Sequence, residues 1–256
     1  MRAFWATAAM CVRQSGYFGP IELFSQYALR LLQMLAMAMI WRGLLQSGAD
    51  AGDLTPAQLI EYTILSSALF PLLNVRTPAS SWLHEGTMLS LYGRPSGIFF
   101  QLTAHTAGGW AMPMLLYALP VAALSAAAGL IGGPKSGWFF VSLPLAMAQG
   151  FAVDFLFACL IIRMRSLSWT VHSMREALSA VLTGGLIPFA AMPWGIGRFL
   201  SLTPLGTLAG APLSLYAGLG DPAPLLAAQI LWTATLLPLS SLAFSRARER
   251  MVSYGG

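Results

Sequence analysis

The feature that most constrains this chain is a series of apolar runs, each about 20 residues long, separated by shorter polar segments. An α-helix rises about 1.5 Å per residue, so a run of that length crosses a hydrocarbon core of roughly 30 Å. Inside lipid every backbone N–H and C=O needs a partner within the segment, and a helix supplies it unaided. Charged residues are only 9% of the 256, against roughly 25% in soluble domains. So little charge cannot cover a soluble surface, so the apolar excess must face lipid. No polar block is long enough for a separate soluble domain, and residues 1–256 are expected to form a single transmembrane domain. The expected fold class is all-α integral membrane.

Along the chain, residues 1–19 are too mixed to span and lack the apolar core and cleavage site of a signal peptide. Phe4, Trp5, Ala8, Ala9 and Val12 recur at helical spacing between Arg2 and Arg13, which predicts an amphipathic helix lying in the interface. Spans are expected over about residues 23–44, 56–73, 98–122, 138–162, 169–187 and 224–244. Thr55, Pro56 and Gln58 stand at the start of the second as a capping box with proline in first position. Arg175 and Glu176 lie near the start of the fifth. Between the fifth and sixth, an apolar stretch punctuated by Pro188, Pro193, Trp194, Pro204 and several glycines cannot form one straight helix. Short helices embedded at the membrane edge fit it better.

Six spans place Arg2, Arg13, Arg76, Arg94, Arg163, Arg165, Arg175, Arg246, Arg248 and Arg250 on one side, and only Arg42, Lys135 and Arg198 on the other. Positive charge accumulates in cytoplasmic loops, so both termini are expected in the cytoplasm. The net charge of +5 is spread over short loops, which fits anionic lipid headgroups rather than nucleic acid.

The segment GLIGGPKS at 129–136 resembles a P-loop but carries Pro134 where the loop needs a glycine N–H. It also falls on the outer side, so any ATP must be bound by another chain. Asp154 sits in the middle of the fourth span and must face a cavity, a helix or a subunit interface, in a functional or a structural role. Glu61 lies within reach of the outer interface, Arg30 can snorkel toward the inner headgroups, and Glu22 lies in the interface itself. His105, beside Gly108 and Gly109, is read as packed against a close helix. Cys11 and Cys159 are read as small buried hydrophobes; no metal-ligand spacing and no nucleophile motif appears, so no metal and no catalytic residue is expected. The polar segment between the second and third spans sets Trp82, Leu83, Met88, Leu89 and Leu91 against His84, Glu85, Arg76 and Arg94. It is either a short helix that docks a cytosolic partner or an ordinary amphipathic loop.

Two stretches carry a family resemblance. EGTMLSLYGRP, with Gly86, Leu91, Arg94 and Pro95, and GGLIPFAAMPW followed by LTPLG, with Gly185, Pro188, Pro193, Trp194, Pro204 and Gly218, resemble the type-2 ABC exporter permeases. The N-terminal helix and the first span ending LAMAMIWRGLL add to the likeness, whereas His84 and Glu85 replace apolar or small residues and Gly93 a leucine. The resemblance implies a permease subunit in a bacterial cell membrane, paired with a second permease of the same or a homologous sequence. Trp82, His84, Glu85, Gly86, Leu89 and Arg94 would form a coupling helix on a separate ATPase chain, which would bind ATP and Mg. Pro188, Pro193, Trp194 and Pro204 would belong to outer re-entrant helices, and the first, second and fifth spans would line the pathway. An apolar pathway favours a hydrophobic or amphipathic cargo. The rival readings are a secondary transporter or channel with Asp154 and Glu61 as ion or proton sites, and, behind it, a membrane-embedded enzyme.

Overall fold

The computed structural model describes residues 2–15, 20–48, 54–79, 97–164 and 168–254, together with Trp82, Leu91 and Gly93. Among these residues the chain is all-helical, without strands, and forms nine helices. They are α1 (Arg2–Ser15), α2 (Pro20–Gln46), α3 (Pro56–Leu73), α4 (Ile98–Ala127), α5 (Phe139–Met164), α6 (Ser168–Leu182), α7 (Ile196–Ser201), α8 (Gly206–Ala217) and α9 (Pro222–Tyr254). Four are long and apolar enough to cross a membrane: α2 over Tyr27–Gln46, α4, α5 over Phe139–Ile161 and α9 over Pro222–Ala247. By helix length and hydropathy this is a multi-pass membrane protein.

Helices also stand at the two other expected positions. The capping box forms at α3: the Gln58 N–H donates to Thr55 Oγ1 at 3.3 Å, and the Thr55 N–H donates to Gln58 Oε1 at 2.9 Å. The fifth expected segment departs from expectation. Instead of running to about residue 187, α6 stops at Leu182 after 15 residues, about 22 Å of rise. Gly184 takes φ +71 and Gly185 and Pro188 follow, a sequence that cannot continue a helix. Side chains of α3 satisfy the freed carbonyls, with Tyr62 Oη donating to Gly184 O at 2.6 Å and Ser66 Oγ donating to Gly185 O. In α4, Pro113 cannot donate to the preceding turn, and the helix answers with a break at Trp110 and a π turn over Met114–Ala118.

The end contacts set α6 antiparallel to α3, α4 antiparallel to α5, and α9 parallel to α5. Arg175 near the start of α6 reaches Val75 beyond the end of α3. Phe99 at the start of α4 packs on Phe155 late in α5, ring centroids 4.5 Å apart, and Phe155 packs on Phe244 late in α9 at 5.1 Å. The molecule thus has one face at the 74–97 connection and an opposite face at the 128–138 loop.

The centre is α5, 61% buried over its apolar window, against 6% for α2. Around α5 sit α9, α8, α3 and α6. The small residues of α8 let it insert: ten of its twelve residues are buried. Four wholly buried polar side chains lock it in place. Gln149 Nε2 donates to Thr207 Oγ1 at 2.8 Å and to Pro204 O at 2.5 Å. Gln229 Nε2 donates to Ser142 O at 3.1 Å and to Thr207 O at 3.2 Å, while Ser142 Oγ donates to Gln229 Oε1 at 2.8 Å. At the periphery α1 lies along α4, where Gly108 permits close approach: a Cβ there would stand 2.5 Å from Ala8 O and 2.8 Å from Cys11 Cβ.

Candidate functional site

The geometry singles out a cavity of about 580 Å³ bounded by α2, α3 and α6, with α5 and α8 at its back. Its two ends differ in chemistry because the helices alternate in direction. At the end nearer the 74–97 connection stand Arg30, Asn74, Arg76, Arg175 and Glu176; toward the other end the walls are Met34, Met37, Thr63, Gly185 and Leu186. Five charged groups meet around the first end once Asp154, just behind Arg175, is included.

Asp154 and Arg175 form the buried part of that cluster, with side chains 3% and 5% exposed. Arg175 Nη1 lies 3.0 Å from Asp154 Oδ1, and its Nη2 donates to Asn74 Oδ1 at 2.8 Å and to Val75 O at 2.6 Å. The other carboxylate oxygen of Asp154 accepts from the Thr77 N–H and from Thr77 Oγ1, both at 2.7 Å. The pair therefore ties α5 and α6 to the chain leaving α3. Among the described residues the Nε and Nη1 of Arg175 have no hydrogen-bond partner, Nη1 making the ion-pair contact with Asp154 alone. Gly150 brings α5 against the same connection, since a Cβ there would lie 2.8 Å from Val75 Cγ2.

Arg76 and Glu176 pair across the mouth of the cavity, each about half exposed. Partial burial pushes the Arg76 guanidinium below its ordinary pKa, Arg175 and Arg30 add to the push, and Asp154 opposes it. Arginine stays charged nonetheless. Arg30 is turned inward, its guanidinium carbon 4.0 Å from the centre of the Phe70 ring. Among the described residues it has no carboxylate partner.

The remaining sequence candidates lie elsewhere. Glu61 closes the opposite face: its Oε1 accepts from the Gly132 N–H at 3.1 Å, and its Oε2 lies 3.5 Å from Lys135 Nζ. Tyr216 Oη donates to Gly132 O at 2.6 Å in the same clasp, so the lysine of the P-loop look-alike is already engaged. Trp82 packs edge-on against His105, centroids 4.8 Å apart. His84, Glu85, Gly86, Leu89 and Arg94 lie outside the described residues. Of the Pro/Gly-rich stretch, Pro188 is wholly buried and Pro204 accepts from Gln149, while Pro193 precedes Trp194, which is 92% exposed at φ +58. Among the described residues no three His, Cys, Asp or Glu side chains converge on a metal-sized site.

Arg30 thus lines the cavity, Asp154 stands behind its wall on Arg175, and Glu61 lies elsewhere. Arg175, Asn74 and Thr77 are the partners that inspection of single spans misses; Arg175 next to Glu176 inside an apolar segment is the signal that points to them. The fold and this cavity define a multi-pass helical membrane protein with a polar-ended recess among its helices. Comparison of the chain with protein-family models, with curated proteins and with solved structures found no match.

Proposed function

We propose that this chain is the membrane-spanning permease subunit of an ATP-driven exporter of the ABC type, with α3 and α6 completing six spans. It works as one of a pair, and a separate ATPase chain binds its 82–94 segment and supplies ATP hydrolysis. The observation that carries this reading is the cavity between α2, α3 and α6, which stand at the first, second and fifth expected spans. The exposed apolar face of α2, with Leu31, Leu35 and Met39 unpacked within the chain, fits a second permease closing that side. The arginine asymmetry supports cytoplasmic termini and brings the charged end of the cavity toward the ATPase. Coupling then consists of two arrangements of the paired subunits, biased by nucleotide state in the partner.

The rival ion-coupled reading draws less support, because Asp154 and Glu61 both already hold cationic and hydrogen-bonding partners. The test is purification of the tagged full chain from its native membrane in a mild detergent. A stoichiometric ATPase chain is expected, lost when Glu85 and Arg94 are both replaced by alanine. Transport by the chain reconstituted alone, with no ATPase present, would overturn the proposal.

A further inference from the structure

The cavity has an unbalanced charge set at one end and an apolar wall at the other. Among the described residues, Arg30, Arg76 and Arg175 face Glu176 and Asp154, three positive groups against two negative, with His172 beside Asp154. Asp154 is consumed by Arg175 and Thr77. Glu176 is held by Arg76 in a half-exposed pair, the kind that is weak and readily exchanged. Among the described residues Arg30 has the face of Phe70 and the nearby Tyr27 and Tyr117, but no carboxylate. An arginine within a span ordinarily escapes toward the headgroups, but this one is turned into the bundle, where an unpaired charge is costly. Arg175, whose side chain is 5% exposed, also lines this cavity, and its buried Nε–H has no hydrogen-bond partner among the described residues.

Guanidinium groups match carboxylate and phosphate oxygens through paired N–H donors. A cation entering here meets three arginines, and a wholly apolar molecule leaves Arg30 uncompensated. Past the arginines the walls become Met34, Met37 and Leu186, flexible or branched apolar side chains suited to a hydrocarbon tail. The volume of about 580 Å³ lies within the usual range for a small-molecule site, roughly 300–1,000 Å³.

We propose that the cavity binds a single-tailed anionic amphiphile, its carboxylate or phosphate head held by Arg30 and Arg76 and its tail lying against Met34, Met37 and Leu186. This names the class of cargo and rests on reading the cavity as the transport pathway.

The test is a binding titration on the purified full chain in a non-ionic detergent, followed by native mass spectrometry, without any ATPase. The probes are laurate and dodecyl phosphate, the cationic dodecyltrimethylammonium, and the tail-less acetate and inorganic phosphate. Laurate or dodecyl phosphate is expected to bind at least about tenfold more tightly than the cationic and tail-less probes. The tighter of the two acids tells whether the head is a carboxylate or a phosphate. Arg30→Gln is expected to weaken that binding about fivefold or more, and Arg76→Gln serves where the first variant does not fold. Arg198→Gln, on the opposite face, should leave it unchanged. Equal binding of the cationic amphiphile, equal binding of tail-less phosphate, or full affinity in both arginine variants overturns the inference. An ATPase partner found without anion binding removes this inference and leaves the permease reading standing; anion binding without a partner does the reverse.

Discussion

Two halves of this bundle solve the problem of polar groups in a membrane in opposite ways. On the side of α5, α8 and α9, Ser142, Gln149, Thr207 and Gln229 are wholly buried and bond to one another and to nearby carbonyls. On the side of α2, α3 and α6, the polar groups surround a cavity, and Arg30 has no carboxylate partner among the described residues. A satisfied polar network rigidifies, whereas an unsatisfied one waits for a ligand or a neighbour. On the proposed function the difference separates a frame from a working surface, and the Asp154–Arg175 pair is the seam between them.

The seam should be the most sensitive place. Asp154→Ala leaves the Arg175 charge buried and unpaired, and should cost about 3–5 kcal/mol of stability, read as chemical unfolding in detergent. Replacing both residues by leucine should restore most of that loss; failure to do so would make the pair more than a structural tie. Next, Gly150→Ala drives a methyl into Val75 and should cost about 1–3 kcal/mol, relieved when Val75→Ala is added. Within the frame, Gln229→Leu strands Ser142 and the Thr207 carbonyl, and should cost about 1–2 kcal/mol in the same assay. The smallest stability effect should come from the cavity wall: Arg30→Gln is expected to shift unfolding by less than about 0.5 kcal/mol while weakening binding of the anionic amphiphile about fivefold or more. A cavity substitution as destabilising as the frame substitutions would erase the distinction between the halves.

Much of this could be read from single segments, because burial in lipid imposes its pattern locally. The apolar runs gave the positions of the long helices, and Thr55, Pro56 and Gln58 announced the start of α3 by hydrogen bonds three residues apart. The end of α6 was harder, since Leu186, Ile187 and Phe189 continue the apolar character that Gly184 and Gly185 interrupt. Hydropathy cannot see a backbone break that Tyr62 and Ser66 repair from another helix. The site was legible only in part. Asp154 stood out as a charge in an apolar run, but its partner lies 21 residues away on another helix (175 − 154), and Thr77 lies 77 residues away. Such pairings depend on how helices pack, and no spacing in the chain encodes them. Glu61, within reach of the outer interface by its position, holds the 132–135 loop.

The central claim is that the cavity side is a working pathway driven by a separate ATPase. It is tested most directly by thiol labelling in native membrane vesicles that retain the partner chains. With Cys11 and Cys159 replaced by alanine, single cysteines are placed at Gln33, which lines the cavity, and at Ala146, which is wholly buried in the frame. The account predicts that a water-soluble maleimide labels Gln33→Cys at a rate that ATP changes several-fold, while Ala146→Cys stays unlabelled throughout. Labelling of Gln33→Cys that is indifferent to ATP, or equal labelling of both positions, would contradict it.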